Sequence, residues 1–280
     1  VRTQTLAHLS DLHVGHGPRL EDAALRLREA LLTEQIDHAI VTGDVTHRGR
    51  EAEVERFWEL FRPLERSGKI TVIPGNHDRL NDDVRGRLMD GPRVQVDERE
   101  GLFLVRVDST GHHNRRWIDG HGELTLADLR AVDACLDRAP EGSLRAVLLH
   151  HHPLPLPTED PFETLVTWIG WPNARELSHG RQLVEVIRGR CDLLLHGHRH
   201  VPAELRLFAG EPRPLRVYNA GSTTQLERFR VFQHREGALL AEPAWVSFER
   251  TRQAGLLPAL VNRHVWRPQG QLGLQEPVGA

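Results

Sequence analysis

Apolar positions along this chain fall into short runs separated by longer stretches of helical period. "TLAHLS" (5–10), "HAIVTG" (38–43) and "ITVIPG" (70–75) are apolar runs of strand length. Between them, "LEDAALRLREALLTE" (20–34) places Ala24, Leu27, Leu31 and Leu32 at the spacing of a helix face. "REAEVERFWELFRPLE" (50–65) reads as a second helix, expected to stop near Pro63. The order strand, helix, strand, helix, strand predicts an α/β sheet with crossover helices. "RVQVDE" (93–98) and "LFLVRVDS" (102–109) read as neighbouring strands, and Thr125 caps a helix over 125–139 with Asp128 three residues on. A strand over 145–150, a helix over 174–189 loosened at Gly180 and a strand over 192–197 follow. Past Pro202, "AELRLFAG", "LRVYNAG" and "FRVFQHR" alternate like strands between Gly and Pro breaks and belong to the same layered structure in this reading. Residues 1–249 then form one domain, and 250–280, without a strong period, are expected to be an arm, an added edge strand or a partly disordered tail.

The polar residues are placed as tellingly as the apolar ones. Strand 5–10 ends in Asp11 and His13, strand 38–43 in Asp44, and strand 70–74 in Asn76, His77 and Asp78. Strand 145–149 runs into "HHHP" (150–153), and strand 192–196 ends in "GHRH" with His198 and His200. Ligands of open α/β sheets bind outside the carboxyl ends of the strands. Five runs therefore deliver Asp, His and Asn to one edge. Carboxylate, imidazole and amide oxygen without thiolate suit hard-to-borderline divalent metals. Asp-x-His and His-x-His each aim two side chains at one ion, and Asp44 can bridge two ions with its two oxygens.

Composition narrows the function classes. The 280 residues carry 27% charged side chains and a formal net charge of only −3, which gives no global basic bias toward nucleic acid. No apolar run approaches membrane-spanning length. No basic segment followed by an apolar one opens the chain, so no signal peptide is expected and the cytoplasm is the default location. Cys135 and Cys191, the only two cysteines, suggest no disulfide framework. Eighteen histidines exceed an ordinary share. A coding bias that favours arginine over lysine would not explain why they cluster.

In that order, the blocks "DLH", "GD", "GNHD", "HHHP" and "GHRH" resemble the calcineurin-like metallophosphoesterase superfamily. The match runs from residue 5 to about 224 and includes "NAGSTT" at 219–224. "GDVTHRG" and "HHHP" most resemble the branch with cyclic-nucleotide and glycerophosphodiester phosphodiesterases. The resemblance implies a four-layer α/β/β/α sandwich with two metal ions about 3–4 Å apart, and hydrolysis of a phosphoester by attack of a metal-bridging hydroxide on phosphorus. It implies Asp11, His13, Asp44 and His200 around the first ion, and Asp44, Asn76, His198 and one of the three histidines around the second. The family's ligand stands two residues before the proline, which selects His151. Strand alternation then turns His150 away as packing, and His152, held extended before Pro153, faces the rim. His77 is expected to protonate the leaving group or stabilise the transition state. The metals are expected to be Mn, Fe, Zn or Co.

There are departures from the family pattern. Relatives carry an Asp that orients the catalytic His where this chain has His47, so either His47 or Asp78 is expected to support His77. Arg48 falls where protein phosphatases bind phosphate. "TGHHNRRW" (110–117) offers His112, His113, Asn114 and Arg115 to a substrate, with a solvated loop as the bland alternative. "PFETLVTWIGWPN" (161–173) is either a pocket wall or plain packing. The leading expectation is a phosphodiesterase on a small molecule, a cyclic nucleotide or a glycerophosphodiester-like compound. The alternatives are a phosphomonoesterase, a nuclease or nucleic-acid end-processing enzyme, whose activity would fall steeply with salt, and last a non-catalytic scaffold without metal uptake. The sequence leaves oligomeric state open, a homodimer included.

Overall fold

The computed structural model describes residues 2–154 and 177–249. Segments 161–173 and 250–280, singled out above, lie outside the described residues. Val1–Glu249 form one compact unit.

Each crossover helix is made by a stripe of apolar residues. Helix α1 (Pro18–Thr33) starts at a proline, where no N–H is needed, and buries Leu20, Ala23, Ala24, Leu27 and Leu31. Leu32, expected on that face, is exposed. Helix α2 (Glu51–Arg66) buries Val54, Phe57, Leu60, Phe61 and Leu64. It continues past Pro63, contrary to the sequence expectation. Pro63 lies on the exposed side, where water can serve the carbonyl it leaves free, and buried Leu64 keeps the last turn on the core. Thr125 and Asp128 exchange the expected reciprocal bonds at the start of α4 (Leu126–Leu136), which follows the single turn α3 (Arg85–Leu88). Helix α5 (Gly180–Ile187) opens at Gly180 rather than loosening there. A Cβ at that position would collide with the Pro153 carbonyl. A last turn, α6, spans Thr223–Leu226.

One sheet takes β1 (Gln4–Leu9), β2 (His38–Thr42), β3 (Ile70–Ile73), β10 (Arg228–Arg235), β11 (Ala238–Leu239) and β12 (Ala244–Ser247). Its order is β11-β10-β1-β2-β3, with β12 also on β10 and with β1, β2 and β3 parallel. The other takes β4 (Val94–Arg99), β5 (Leu102–Val107), β6 (Leu144–Leu148), β7 (Leu193–His196), β8 (Ala203–Leu207) and β9 (Leu215–Asn219) in the order β4-β5-β6-β7-β9-β8. Strands β5, β6, β7 and β9 are parallel and the edges antiparallel.

Three apolar layers hold the unit together. One lies between α1, α2 and the first sheet. The second, with Leu6, Ile40, Ile73, Leu104, Leu148, Leu195, Tyr218 and Phe232, lies between the sheets. The third lies between the second sheet and α4 and α5. The architecture is therefore the four-layer α/β/β/α sandwich. Among the described residues no helix is long and apolar enough to cross a membrane.

Candidate dimetal centre

The strands that carry the Asp and His blocks end at one rim, and there the chain turns sharply. Asp11, His13, Asp44, His198 and His200 all have left-handed backbones, with φ of 53°, 48°, 48°, 75° and 54°. Such conformations cost side-chain-bearing residues about 1 kcal/mol or more each and cluster at functional sites. They turn consecutive side chains inward. The Asp11 and His13 N–H groups donate to the Gly43 and Asp44 carbonyls, both at 3.0 Å, which joins the loops after β1 and β2. Two glycines make room. A Cβ on Gly75 would strike the Asp44 backbone and carboxylate, and one on Gly197 would strike Ser10 and Asp11.

Two donor sets result. Asp11, His13, Asp44 and His200 each offer an atom within 4.8 Å of the others. His200 Nε2 lies 3.3 Å from Asp11 Oδ1 and 3.1 Å from His13 Nε2. Beside them, Asn76 Oδ1 lies 3.1 Å from His150 Nε2 and 3.0 Å from His198 Nδ1. Asp44 joins the sets through one oxygen rather than two. Its Oδ2 is 3.4 Å from His150 Nε2 and 4.0 Å from His13 Nε2, while Oδ1 accepts the His77 backbone N–H at 2.8 Å.

The charge states fit divalent cations. Burial works to raise the Asp11 carboxyl, yet His200 and its neighbours pull it down to about 2. Burial likewise opposes ionisation of Asp44, and His150, His77 and His13 overcome it, so the acid sits well below the carboxylate range. Burial lowers His13 to about 3 and holds His198 well below the ordinary range, which keeps their lone pairs free. Burial also works to lower His150, but the Asp44 carboxylate lifts it to about 9. Cation binding there displaces a proton. Ionised carboxylates, an amide oxygen and imidazoles converging without thiolate are the chemistry of a dimetal site.

The triple histidine departs from expectation. His150 Nδ1 donates to the Thr42 carbonyl at 2.8 Å, which fixes the ring with Nε2 toward Asp44 and Asn76. His151 also brings a nitrogen within 4.8 Å of His150 and His198. Its Nε2, however, donates to the Gly120 carbonyl at 3.0 Å, and its Nδ1 accepts from Ser109 Oγ at 2.8 Å. Neither nitrogen retains a free lone pair. The expected order, His151 at the metals and His150 in the packing, is reversed in the geometry. The ladder runs on past β6, with the Leu149 N–H on the Leu195 carbonyl and the Gly197 N–H on the His150 carbonyl, so alternation puts His150 on the inter-sheet face of Ala146 and Leu148 and His151 on the outer face of Val147 and Leu149. His152 is buried against His198, with ring centroids 5.8 Å apart, and does not face the rim.

His77 stands at the mouth with Nε2 3.9 Å from Asp44 Oδ2. Its Nδ1 donates to a backbone carbonyl, that of His47, at 2.8 Å. Neither side chain expected to support it hydrogen-bonds to it, although a His47 ring nitrogen lies within 4.8 Å of one on His77 and one on His13. The His47 ring stacks on His16 at 4.1 Å, and burial is the main cause that lowers it to about 4. Asp78 is fully buried and accepts from the N–H groups of Val45, Thr46 and Gly75 and from the Thr46 hydroxyl. It ties the loops after β2 and β3 together. Burial and the nearby Asp44 raise it to about 6.

Of the expected substrate residues, His112, His113, Asn114 and Arg115 lie in a turn packed against the one that carries His77. Arg48 is exposed, and its backbone bonds to Glu53 and Asn81. Asn114 is buried and spans its own loop, accepting from Gly111 N–H and donating to the Asp119 and His121 carbonyls. His113 stacks on His121 at 3.9 Å, Arg115 pairs with Asp83, and His112 is exposed. Sequence reasoning missed Ser109, which sits at the end of "LFLVRVDS", and Trp117, the last letter of "TGHHNRRW". The Trp117 ring lies 5.0 Å from that of His77.

The model of the calcineurin-like phosphoesterase family matches residues 4–202. A probable cyclic nucleotide phosphodiesterase of Pseudoalteromonas sp. (strain SM9913) is 25% identical over 207 residues, 70% of each chain. The 3′,5′-cyclic adenosine monophosphate phosphodiesterase of Vibrio vulnificus (strain CMCP6) is 27% identical over 126 residues, 43% of this chain and 42% of that one. Among solved structures, a dimetal phosphatase from Danio rerio aligns with TM-score 0.57 and 10% identity, over 88% of this chain and 99% of that one. A purple acid phosphatase from yellow lupin aligns with TM-score 0.55 and 12% identity, over 88% and 54%. These structural likenesses bear on the fold.

Proposed function

The chain belongs to the calcineurin-like phosphoesterase family and is a metal-dependent phosphoester hydrolase, and we propose that within this family it is a phosphodiesterase acting on small molecules, cyclic nucleotides or glycerophosphodiester-like compounds. One observation carries the reading: two donor sets share Asp44 Oδ2, with the His77 imidazole beside that oxygen. Asp11, His13, Asp44 and His200 would hold one ion, and Asp44, Asn76, His150 and His198 the other. Bound there, the pair of ions lowers the pKa of water and neutralises phosphate oxygens. The nitrogen and oxygen donor set supports Mn, Fe, Zn or Co.

The chain's own residues do the rest. The His77 backbone N–H holds Asp44 Oδ1, which leaves Oδ2 for the ions. The His47 carbonyl keeps the proton on His77 Nδ1, so Nε2 faces the pocket and carries a proton only when the ring is cationic. From Nε2 the imidazolium protonates the leaving alkoxide, a step worth about 10²–10⁴-fold. The two relatives, both with names in the cyclic nucleotide phosphodiesterase class, support a diester substrate. The two free, buried thiols support a reducing compartment such as the cytoplasm.

Metal analysis of the purified protein, combined with a panel of phosphodiesters and phosphomonoesters, tests the reading. We expect two metal equivalents and faster turnover of diesters than of monoesters. A preference for monoesters would overturn the phosphodiesterase assignment. Near-normal turnover by Asp44→Ala would overturn the shared-carboxylate site.

A further inference from the structure

Trp117 is placed where a substrate would meet it. Trp117 is 57% exposed, and the neighbouring Ile118 is 59% exposed. The indole stands at 70° to the His77 ring with centroids 5.0 Å apart, and at 80° to the His47 ring at 5.9 Å. The other exposed tryptophan among the described residues, Trp245, has a different surrounding. The guanidinium groups of Arg228 and Arg230 lie 4.6 and 4.5 Å from its ring centroid, which accounts for its place on the surface. Trp117 instead presents a broad apolar face at the mouth of the catalytic pocket, next to the group assigned to the leaving oxygen.

The loop that carries Trp117 is braced. The Asn114 amide donates to the Asp119 and His121 carbonyls, Arg115 pairs with Asp83, and Arg116 lies 3.3 Å from Asp119. His112, Asn114 and Arg115, expected to touch substrate, flank or form the brace, and Trp117 is the residue it presents. An aromatic face held in place loses little entropy on stacking.

Resting on the phosphodiesterase reading above, we propose that Trp117 is a specificity-determining residue that stacks the heteroaromatic base of a nucleotide whose phosphate lies at the dimetal centre. Among phosphodiesters, the site then favours nucleoside cyclic phosphates over diesters without a ring. Base–indole stacking is worth about 1–3 kcal/mol per base, which corresponds to a preference of about fivefold or more. Stacking tolerates every base, so this residue selects for a base as such rather than for one base.

The test uses the full chain with its metals and compares wild type, Trp117→Phe and Trp117→Ala. For 3′,5′-cyclic AMP, Trp117→Ala should raise KM about fivefold or more with kcat little changed, and Trp117→Phe should recover most of the loss. KM for glycerophosphoethanolamine, a diester without an aromatic ring, should not move. Calorimetric binding of AMP and ribose 5-phosphate gives a readout that needs no turnover. Wild type should bind AMP at least about fivefold tighter, and Trp117→Ala should lose that advantage. Equal KM changes on both diesters, or equal affinity of wild type for AMP and ribose 5-phosphate, would overturn the proposal. If neither diester is hydrolysed while AMP still binds preferentially through Trp117, the phosphodiesterase reading fails and the stacking residue stands.

Discussion

His150 and His151 differ in nothing but their partners. The Thr42 carbonyl takes the Nδ1 proton of His150 and leaves its Nε2 to the centre, whereas Ser109 and Gly120 occupy both nitrogens of His151. His150→Ala should therefore reduce bound metal from two equivalents toward one and lower turnover by about 100-fold or more, in line with losing a ligand where even a supporting partner is worth about 10–100-fold. His151→Ala should keep both equivalents and lower stability instead, since it strips a fully buried ring and leaves the Ser109 hydroxyl without its acceptor. Elemental analysis and urea unfolding of the two variants check this, and metal loss in His151→Ala would reverse the assignment. The sequence placed Asp11, His13, Asp44, Asn76, His198 and His200 after strands because periodicity marks where strands end. It did not show which of three adjacent rings faces inward, because Ser109 and Gly120 lie 42 and 31 residues away from His151.

At the scale of elements, the carboxyl ends of the strands carry the site and their opposite ends carry stability. His38 opens β2 and is buried. Its Nε2–H donates to the Thr71 hydroxyl at 2.7 Å, and Thr71 donates in turn to Asp97. Burial is the main cause that lowers His38 to about 4. The unfolded chain takes up this proton near pH 6.5 and the folded protein only near pH 4, so the stability that neutral His38 confers is present above pH 6.5 and lost as pH falls toward 4. The loss is on the order of 3 kcal/mol at most. His38→Gln should flatten the dependence of unfolding free energy on pH across that window, and an unchanged slope would count against it. The helices were legible from their apolar stripes, but the ends were less so. Helix α2 outlasts Pro63 because Leu64 is anchored in a core that a local reading does not contain.

For the whole molecule, the centre joins the two sheets. Asp11, His13, Asp44 and Asn76 follow strands of the first sheet, and His150, His198 and His200 follow strands of the second. A cation held by both sets binds only when the sheets are packed, so it stabilises the fold by mass action, about 2.7 kcal/mol at 100 times Kd. Chelation should lower the unfolding temperature by several degrees, and added Mn²⁺ should restore it. Asp44→Ala should show a much smaller shift. A melting temperature indifferent to chelation would separate the metals from the fold.

Periodicity and residue chemistry were enough, from the sequence by itself, to determine the alternation of strands and helices and the rim at which the metal-binding Asp, His and Asn collect, while metal-dependent hydrolysis followed from the resemblance of those blocks to a known family. The first two are local properties: side-chain period follows backbone geometry, and donor type follows the residue. Only the tertiary structure decided that His150 takes the inward position, that the His47 carbonyl accepts the His77 Nδ1 proton, that Asp78 is a clamp between loops, and that the Trp117 ring lies against that of His77. Each of these depends on a lone pair or a ring face, and whether it is used or free is set by atoms brought together across tens of residues when the two sheets close.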